Sequence, residues 1–223
     1  RYANNGGADA VYEGELWNPA TGTWQITPRA AQIRVYHSTA TLLPNGTVLT
    51  AGSGAGGPVD NLNVEVYYPP YLFRSVGGVA QLAPRPVMTR INTLKFSHGG
   101  TIEIDLADTT PIGRLALIAL SASTHSFNTG QRSQTLTFTQ SGNRLTAQMP
   151  ASANLAPPGY YQLVPVDTSG VPAHAVIVGV GQDVQPPPAP TALPRGEAVM
   201  LDSVALPDQS IATDGGGLGV MRN

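Results

Sequence analysis

The side chains best suited to chemistry in this chain are four histidines, His37, His98, His125 and His174, and a tyrosine, Tyr36, directly before the first of them. His98 precedes Gly99-Gly100 and reads as a turn residue. His174 follows Pro172-Ala173 at a strand start and reads as structural. His125 lies in Ser123-Thr124-His125-Ser126-Phe127-Asn128, a polar segment after an apolar strand ending at Leu120. Polar loops at the ends of buried strands are where functional residues are commonly carried. Two imidazoles and a phenol are compatible with copper, nickel, zinc or no metal, because geometry rather than residue type discriminates among these ions. Spacing does not decide, since His37 and His125 fall in different domains on the reading below.

The elements that must position these residues read as short strands. Gly and Pro, 25 and 20 in number, punctuate runs rich in Val, Ile, Leu, Thr and Tyr, the texture of an all-β protein. No stretch makes a persuasive helix; Glu197 to Leu206 comes nearest, and β-branched residues and Pro207 break it. Glu15-Leu16-Trp17, the turn Asn18 to Gly22 and Thr23 to Ile26 predict a hairpin. Tyr36 to Leu43 and Thr47 to Gly52, joined through Pro44-Asn45-Gly46, predict a second one with a type I′ turn at Asn-Gly. Further strands are predicted at Ile102 to Leu106, which alternates, and at Leu115 to Leu120, which is continuously apolar and suits a central strand. Others fall at Gln134 to Thr139, Arg144 to Met149, Tyr160 to Val166 and Ala173 to Val180. About seven short strands in about 100 residues suggest an immunoglobulin-like sandwich.

The resulting division is 1–83, then the sandwich over 84–182, a stiff Pro-rich linker over 183–196 and a tail or start of a further module over 197–223. Charged residues make up 12% of the chain and the net charge is -2, which leaves no electrostatic basis for nucleic acid or an anionic membrane surface. No apolar run approaches the length of a membrane span, and the N-terminus carries no signal-peptide pattern. The chain begins at Arg1, which suggests a fragment or a processed product. Cysteine is absent, which excludes disulfides and thiolate ligands.

Several features have a plain structural reading. Trp17 and Trp24 are expected to pack between sheets rather than to stack on sugars. Tyr67-Tyr68 and Pro69-Pro70-Tyr71 read as an aromatic staple at the domain junction, and Tyr160-Tyr161 as one ring inside the sandwich and one outside. Asp105 and Asp108 read as solvated strand-end carboxylates, and Asn5 to Asp9 as a hairpin tip rather than a calcium loop.

The phrases ELWNPATGTW and YHSTATLLPNGTVLTAGSG resemble kelch repeats. Such propellers need about four to eight four-stranded blades to close. Residues 1–83 have room for about two, so the others must come from elsewhere. RVYHSTATLLPNGTVLTAGSG, NVEVYYPPYLF, RPVMTR, STHSFNTGQR and PPGYYQLVPVDTSGVPAHAVIV occur here in the order found in the galactose oxidase and glyoxal oxidase family of radical-copper oxidases. This resemblance spans roughly residues 10 to 182 and implies a partial kelch β-propeller followed by an immunoglobulin-like early-set domain.

It further implies a copper ion held by Tyr36 as axial ligand and by His37 and His125 as equatorial imidazoles. Tyr36 would be the base that takes the substrate's hydroxyl proton, a role open to a weakly basic phenolate because coordination acidifies an alcohol. Substrates would be primary alcohols, aldehydes or carbohydrate ends, oxidised outside the cell or at its surface with O2 reduced to hydrogen peroxide. Because neighbouring residues on a regular strand face opposite ways, Tyr36 and His37 can share one ion only if the backbone there is irregular. The Cys-Tyr radical cofactor of the family finds no counterpart in a chain without cysteine. It is expected in an N-terminal propeller portion, the chain's expected partner, so this polypeptide alone should be inactive. The alternatives are a non-catalytic adhesion or carbohydrate-binding module, or a subunit that completes another chain's propeller.

Overall fold

The computed structural model describes residues 7, 10–53, 61–125, 127–181 and 184–185, and the backbone of 200–202, 210–213 and 219–222. Strands β1 (Glu13–Asn18) and β2 (Thr23–Arg29) form an antiparallel ribbon. Its turn is built from an Asn18 side chain that accepts the Ala20 N–H at 3.0 Å, an N–H of Gly22 bonded to the Asn18 carbonyl at 2.8 Å, and a left-handed Gly22. Trp17 pairs across the ribbon with Trp24, ring centroids 6.4 Å apart, yet the two residues stay 51% and 65% exposed. The expected packing is therefore met only by their mutual contact.

A three-stranded sheet follows, β3 (Thr39–Leu42), β4 (Val48–Ala51) and β5 (Val64–Tyr67), in that order. The expected type I′ turn between β3 and β4 is corrected. Gly46 N–H bonds to the Leu43 carbonyl at 2.8 Å, and Gly46, not Asn45, takes positive φ, 80°. Pro44 sets the first turn position near the φ of a type I turn, and Gly46 supplies the left-handed residue that closes such three-residue hairpin loops. A hairpin not anticipated, β6 (Phe73–Val76) and β7 (Val79–Leu82), turns on Gly77-Gly78, both at positive φ. Among the described residues no sheet in this part reaches the four strands of a propeller blade.

The second part is a sandwich. Its strands are β8 (Met88–Ile91), β9 (Lys95–Phe96), β10 (Thr101–Leu106), β11 (Ile112–Ala119), β12 (Ser123–Thr124), β13 (Phe127–Asn128), β14 (Ser133–Leu136), β15 (Phe138–Ser141), β16 (Arg144–Gln148), β17 (Gly159–Asp167) and β18 (Val176–Val180). One sheet runs β15-β16-β10-β8 and the other β14-β11-β17-β18-β9, with β12 and β13 as a separate hairpin. The predicted strand Gln134 to Thr139 is divided: its halves, β14 and β15, belong to different sheets and Thr137 carries the crossing.

Alternation places Ile102, Ile104 and Leu106 of β10 in the inter-sheet core with Leu115, Leu117, Leu145, Leu163, Val178 and Val180. Each such side chain contributes roughly 1.5–3 kcal/mol by leaving water. Tyr161 is buried and Tyr160 is not, as expected. The apolar run of β11 is continuous because its sheet is covered on both faces. Ala116, Val164 and Val166 form a second buried cluster on the outer face.

That outer face meets the β3–β4 turn. Gln162, buried, donates to the Leu42 carbonyl at 2.8 Å, and Ala175 N–H to Pro44 at 2.7 Å. Arg85 reaches the carbonyls of Asn45 (2.7 Å), Pro172 (2.7 Å) and Ala173 (3.0 Å) and lies 3.3 Å from His174 Nε2. Tyr71 donates to the Gly46 carbonyl at 2.6 Å, a bond within the first part, and lines a cavity of about 210 Å³ between the β3–β4 turn and the outer face of the sandwich. Asp105 is not merely solvated: Arg90 (2.9 Å) and Arg144 (2.7 Å) bracket it, and the Arg144 hydrogen bond lowers its pKa. Asp108 instead caps its own turn, accepting from the Thr110 N–H at 2.9 Å.

Beyond the sandwich, β19 (Met200–Asp202), β20 (Ser210–Thr213) and β21 (Gly219–Arg222) pair antiparallel in that order. Pro186 to Pro190 and, apart from Gly7, the stretch Asn5 to Asp9 lie outside the described residues.

Candidate metal centre

Tyr36 and His37 lie in the turn that enters β3, not on the strand, and His37 adopts φ of 66°. This left-handed residue is the irregularity that lets two consecutive side chains face one point. Their ring centroids are 3.8 Å apart. The segment leading to them is fastened to β5 and to residues that follow β4 and precede β5. Glu65 carboxylate oxygens accept the N–H groups of Ala31 (2.8 Å) and Gln32 (3.3 Å), and Asn61 donates to the Ile33 carbonyl at 2.6 Å. Arg34 donates to the Gly52 carbonyl (2.9 Å) and to Asn63 Oδ1 (2.8 Å), and pairs with Glu65 at 3.4 Å. Burial lowers the pKa of this guanidinium, with Glu65 opposing. Among the described residues, Arg34 Nε is the buried side-chain nitrogen with no partner.

The last fastening is Ser53 Oγ, which accepts the Val35 N–H at 2.7 Å. Ser53 is 4% exposed and takes φ of 145°. Beside it Gly52 is left-handed, and a Cβ there would stand 3.1 Å from the His37 carbonyl oxygen. The close approach and the backbone angle both call for glycine.

His125 arrives from the sandwich at the tip of the β12–β13 hairpin, in which Thr124 faces Phe127 across a two-residue turn. Its φ is 54°, the positive value that the first central position of a tight hairpin turn takes. Asn128 Oδ1 accepts the Ala122 and Gly130 N–H groups at 3.0 and 3.1 Å, and Thr129 Oγ1 donates to the Ala122 carbonyl at 2.9 Å. These bonds close the base of the hairpin. Ser123 Oγ donates to the Ala40 carbonyl at 3.4 Å, linking it to β3.

The His125 ring centroid is 5.1 Å from that of Tyr36 and 4.7 Å from that of His37, both edge-on. Its Nδ1 is 2.7 Å from Thr124 Oγ1. Tyr36 is half-buried and the two histidines are exposed. The structure therefore brings Tyr36, His37 and His125 together from segments about ninety residues apart. His98 and His174 are held elsewhere, by the Ala156 carbonyl at 2.7 Å and by Arg85. Among the described residues there is no group of three His, Cys, Asp or Glu side chains able to hold a metal, so the donor set is two imidazoles and a phenol.

Reading the sequence missed the fastening residues Arg34, Ser53, Asn61, Asn63 and Glu65. The signal was present in part. Asn61, Asn63 and Glu65 recur at the two-residue period of one strand face, three polar side chains leading into β5.

Residues 85–180 match the family described as Galactose oxidase-like, Early set domain. Galactose oxidase of Gibberella zeae is 34% identical over 175 residues, 77% of this chain and 25% of that protein. Aldehyde oxidase GLOX of Vitis pseudoreticulata is 33% identical over 159 residues, 64% of this chain and 29% of its own length. A solved fungal alcohol oxidase of the AA5 family, in complex with copper, is similar with a TM-score of 0.72 at 31% identity, covering 79% of this chain and 37% of that one. The chain thus spans 25% to 29% of the length of these two relatives. Residues 85–180 are a galactose oxidase-like early set domain, and the chain is homologous to galactose oxidase and to the glyoxal oxidases.

Proposed function

We propose that this chain supplies the C-terminal part of an extracellular radical-copper oxidase, with Tyr36, His37 and His125 as copper ligands. The observation that carries the reading is the meeting of three donor-bearing rings, 3.8 to 5.1 Å apart, from two segments that share no strand pairing. The donor set fits the ion: imidazole suits copper, and a phenolate adds an anionic oxygen. When bound, copper would share with an organic radical the two-electron oxidation of a primary alcohol or aldehyde by O2, giving hydrogen peroxide.

The chain's own residues would do the rest. His37 and His125 fix the site from two sides, and Tyr36 holds at its phenolate oxygen the proton given up by the substrate hydroxyl. The tyrosine-cysteine radical cofactor would come from a segment outside this chain, which has no cysteine. That segment would also supply the remaining blades. The ribbon β1–β2 supports this, since Leu16, Trp17, Trp24 and Ile26 stay 37% to 70% exposed and a lone two-stranded ribbon is marginal in water.

Titrating the 223-residue chain with Cu(II), followed by calorimetry and electron paramagnetic resonance, tests the assignment. His37→Ala and His125→Ala are each expected to weaken binding by about tenfold or more, about 1.4 kcal/mol. Unchanged affinity in both would remove the copper site. The copper-loaded chain should release no hydrogen peroxide from any alcohol or aldehyde. Turnover by the chain alone would contradict the need for a second segment.

A further inference from the structure

We propose that Thr124 is a positioning residue whose hydroxyl holds the His125 imidazole in its Nδ1–H tautomer, leaving Nε2 as the atom presented to a metal. The proposal rests on the copper reading only for what meets Nε2; the tautomer belongs to the chain itself. Thr124 Oγ1 stands 2.7 Å from His125 Nδ1, and among the described residues it is the hydrogen-bond partner of that ring.

Side chains of consecutive residues on a regular strand diverge, so this contact is not a default of sequence adjacency. It exists because His125 leaves the strand at φ of 54°, which swings the ring back over the preceding residue. Thr124 itself is fixed by its strand pairing with Phe127 and by the stiff χ1 of a β-branched side chain. A neutral imidazole has one donor nitrogen and one acceptor nitrogen. If the hydroxyl accepts from Nδ1–H, Nε2 carries a lone pair able to bind a cation; if it donates, Nε2 carries the proton and is blocked. Metal-bound histidines generally donate their second ring N–H to an oxygen, which fixes tautomer and ring orientation. Thr124 is the oxygen available here.

The experiment measures the metal-free tautomer and the metal affinity on the same proteins. Nitrogen-15 correlation spectra of the chain, with imidazoles neutral, are expected to show His125 as Nδ1–H. Thr124→Val, which keeps the β-branched shape on an exposed strand, should shift it toward the Nε2–H form that dominates in free histidine. Cu(II) affinity should fall about tenfold in Thr124→Val, at the lower end of what loss of such a partner costs, and return in Thr124→Ser. A His125 already in the Nε2–H form in the unaltered chain overturns the proposal whatever the copper result. So does a Thr124→Val chain with unchanged tautomer and affinity, while the copper reading then stands. If the unaltered chain binds no Cu(II), the copper reading falls and the tautomer measurement alone decides the role of the hydroxyl.

Discussion

At His37 and His125 the backbone takes φ of 66° and 54°, a region that non-glycine residues enter at a cost of roughly 1–2 kcal/mol. Finding it at both histidines of one cluster means the fold holds strain where the candidate chemistry sits. His125→Gly should therefore be as stable as or more stable than His125→Ala, by up to about 1 kcal/mol, the reverse of the order at ordinary strand positions. Chemical denaturation of the two variants checks this, and an alanine variant clearly more stable than the glycine one would show that no strain is stored there. The identities of Tyr36, His37 and His125 could be read from residue type together with family resemblance. The left-handed backbone at the two histidines could not: at His37 it goes with bonds to residues far along the chain, and the hairpin tip at His125 carries no Gly or Asn to announce it.

The elements around the cluster act as clamps. Residues 31–35 form no strand, yet Glu65 of β5, Asn61 and Ser53 hold the backbone at Ala31, Gln32, Ile33 and Val35, and the Arg34 side chain reaches the Gly52 carbonyl. Ser53→Ala removes the acceptor for Val35 N–H one residue before Tyr36. A cost of about 1–3 kcal/mol is expected, from an unpaired and partly buried donor. Copper affinity should drop as well, although neither histidine nor tyrosine is touched. Parallel denaturation and Cu(II) titration test this, and a destabilised chain with intact affinity would show that the clamp serves the fold alone. Strands with clean alternation, such as Ile102 to Leu106, were legible because one face sees only the core. The β6–β7 hairpin was equally written, in Gly77-Gly78, but its mixed pattern and exposed Val79 and Leu82 gave no periodic face to recognise.

At the scale of the molecule, the two parts are joined through Arg85, which gathers carbonyls from Asn45, Pro172 and Ala173. Arg85→Ala should cost about 2–3 kcal/mol, as charged hydrogen bonds to partly buried acceptors are lost. It should also separate the β3–β4 sheet from the sandwich and move His37 away from His125. Burial first, and then the Arg85 charge, lower the pKa of His174 from its ordinary 6.5. The unfolded chain therefore binds a proton here more readily than the folded one. This contribution is present above about pH 6.5 and is lost as pH falls through the lowered folded value. His174→Gln should flatten the decline in stability on acidification, measured as denaturation midpoints across that range; an unchanged slope would place the linkage elsewhere.

The sequence by itself determined the all-β character, the sandwich strands and the absence of any thiol, because alternation, turn residues and composition are local properties. It also carried the candidate donors as residue types. Only the tertiary structure decided that the tip of a sandwich hairpin reaches the turn before β3. That meeting depends on long-range bonds such as Gln162 to Leu42 and Ser123 to Ala40, whose partners lie far apart along the chain and leave no periodic trace in it.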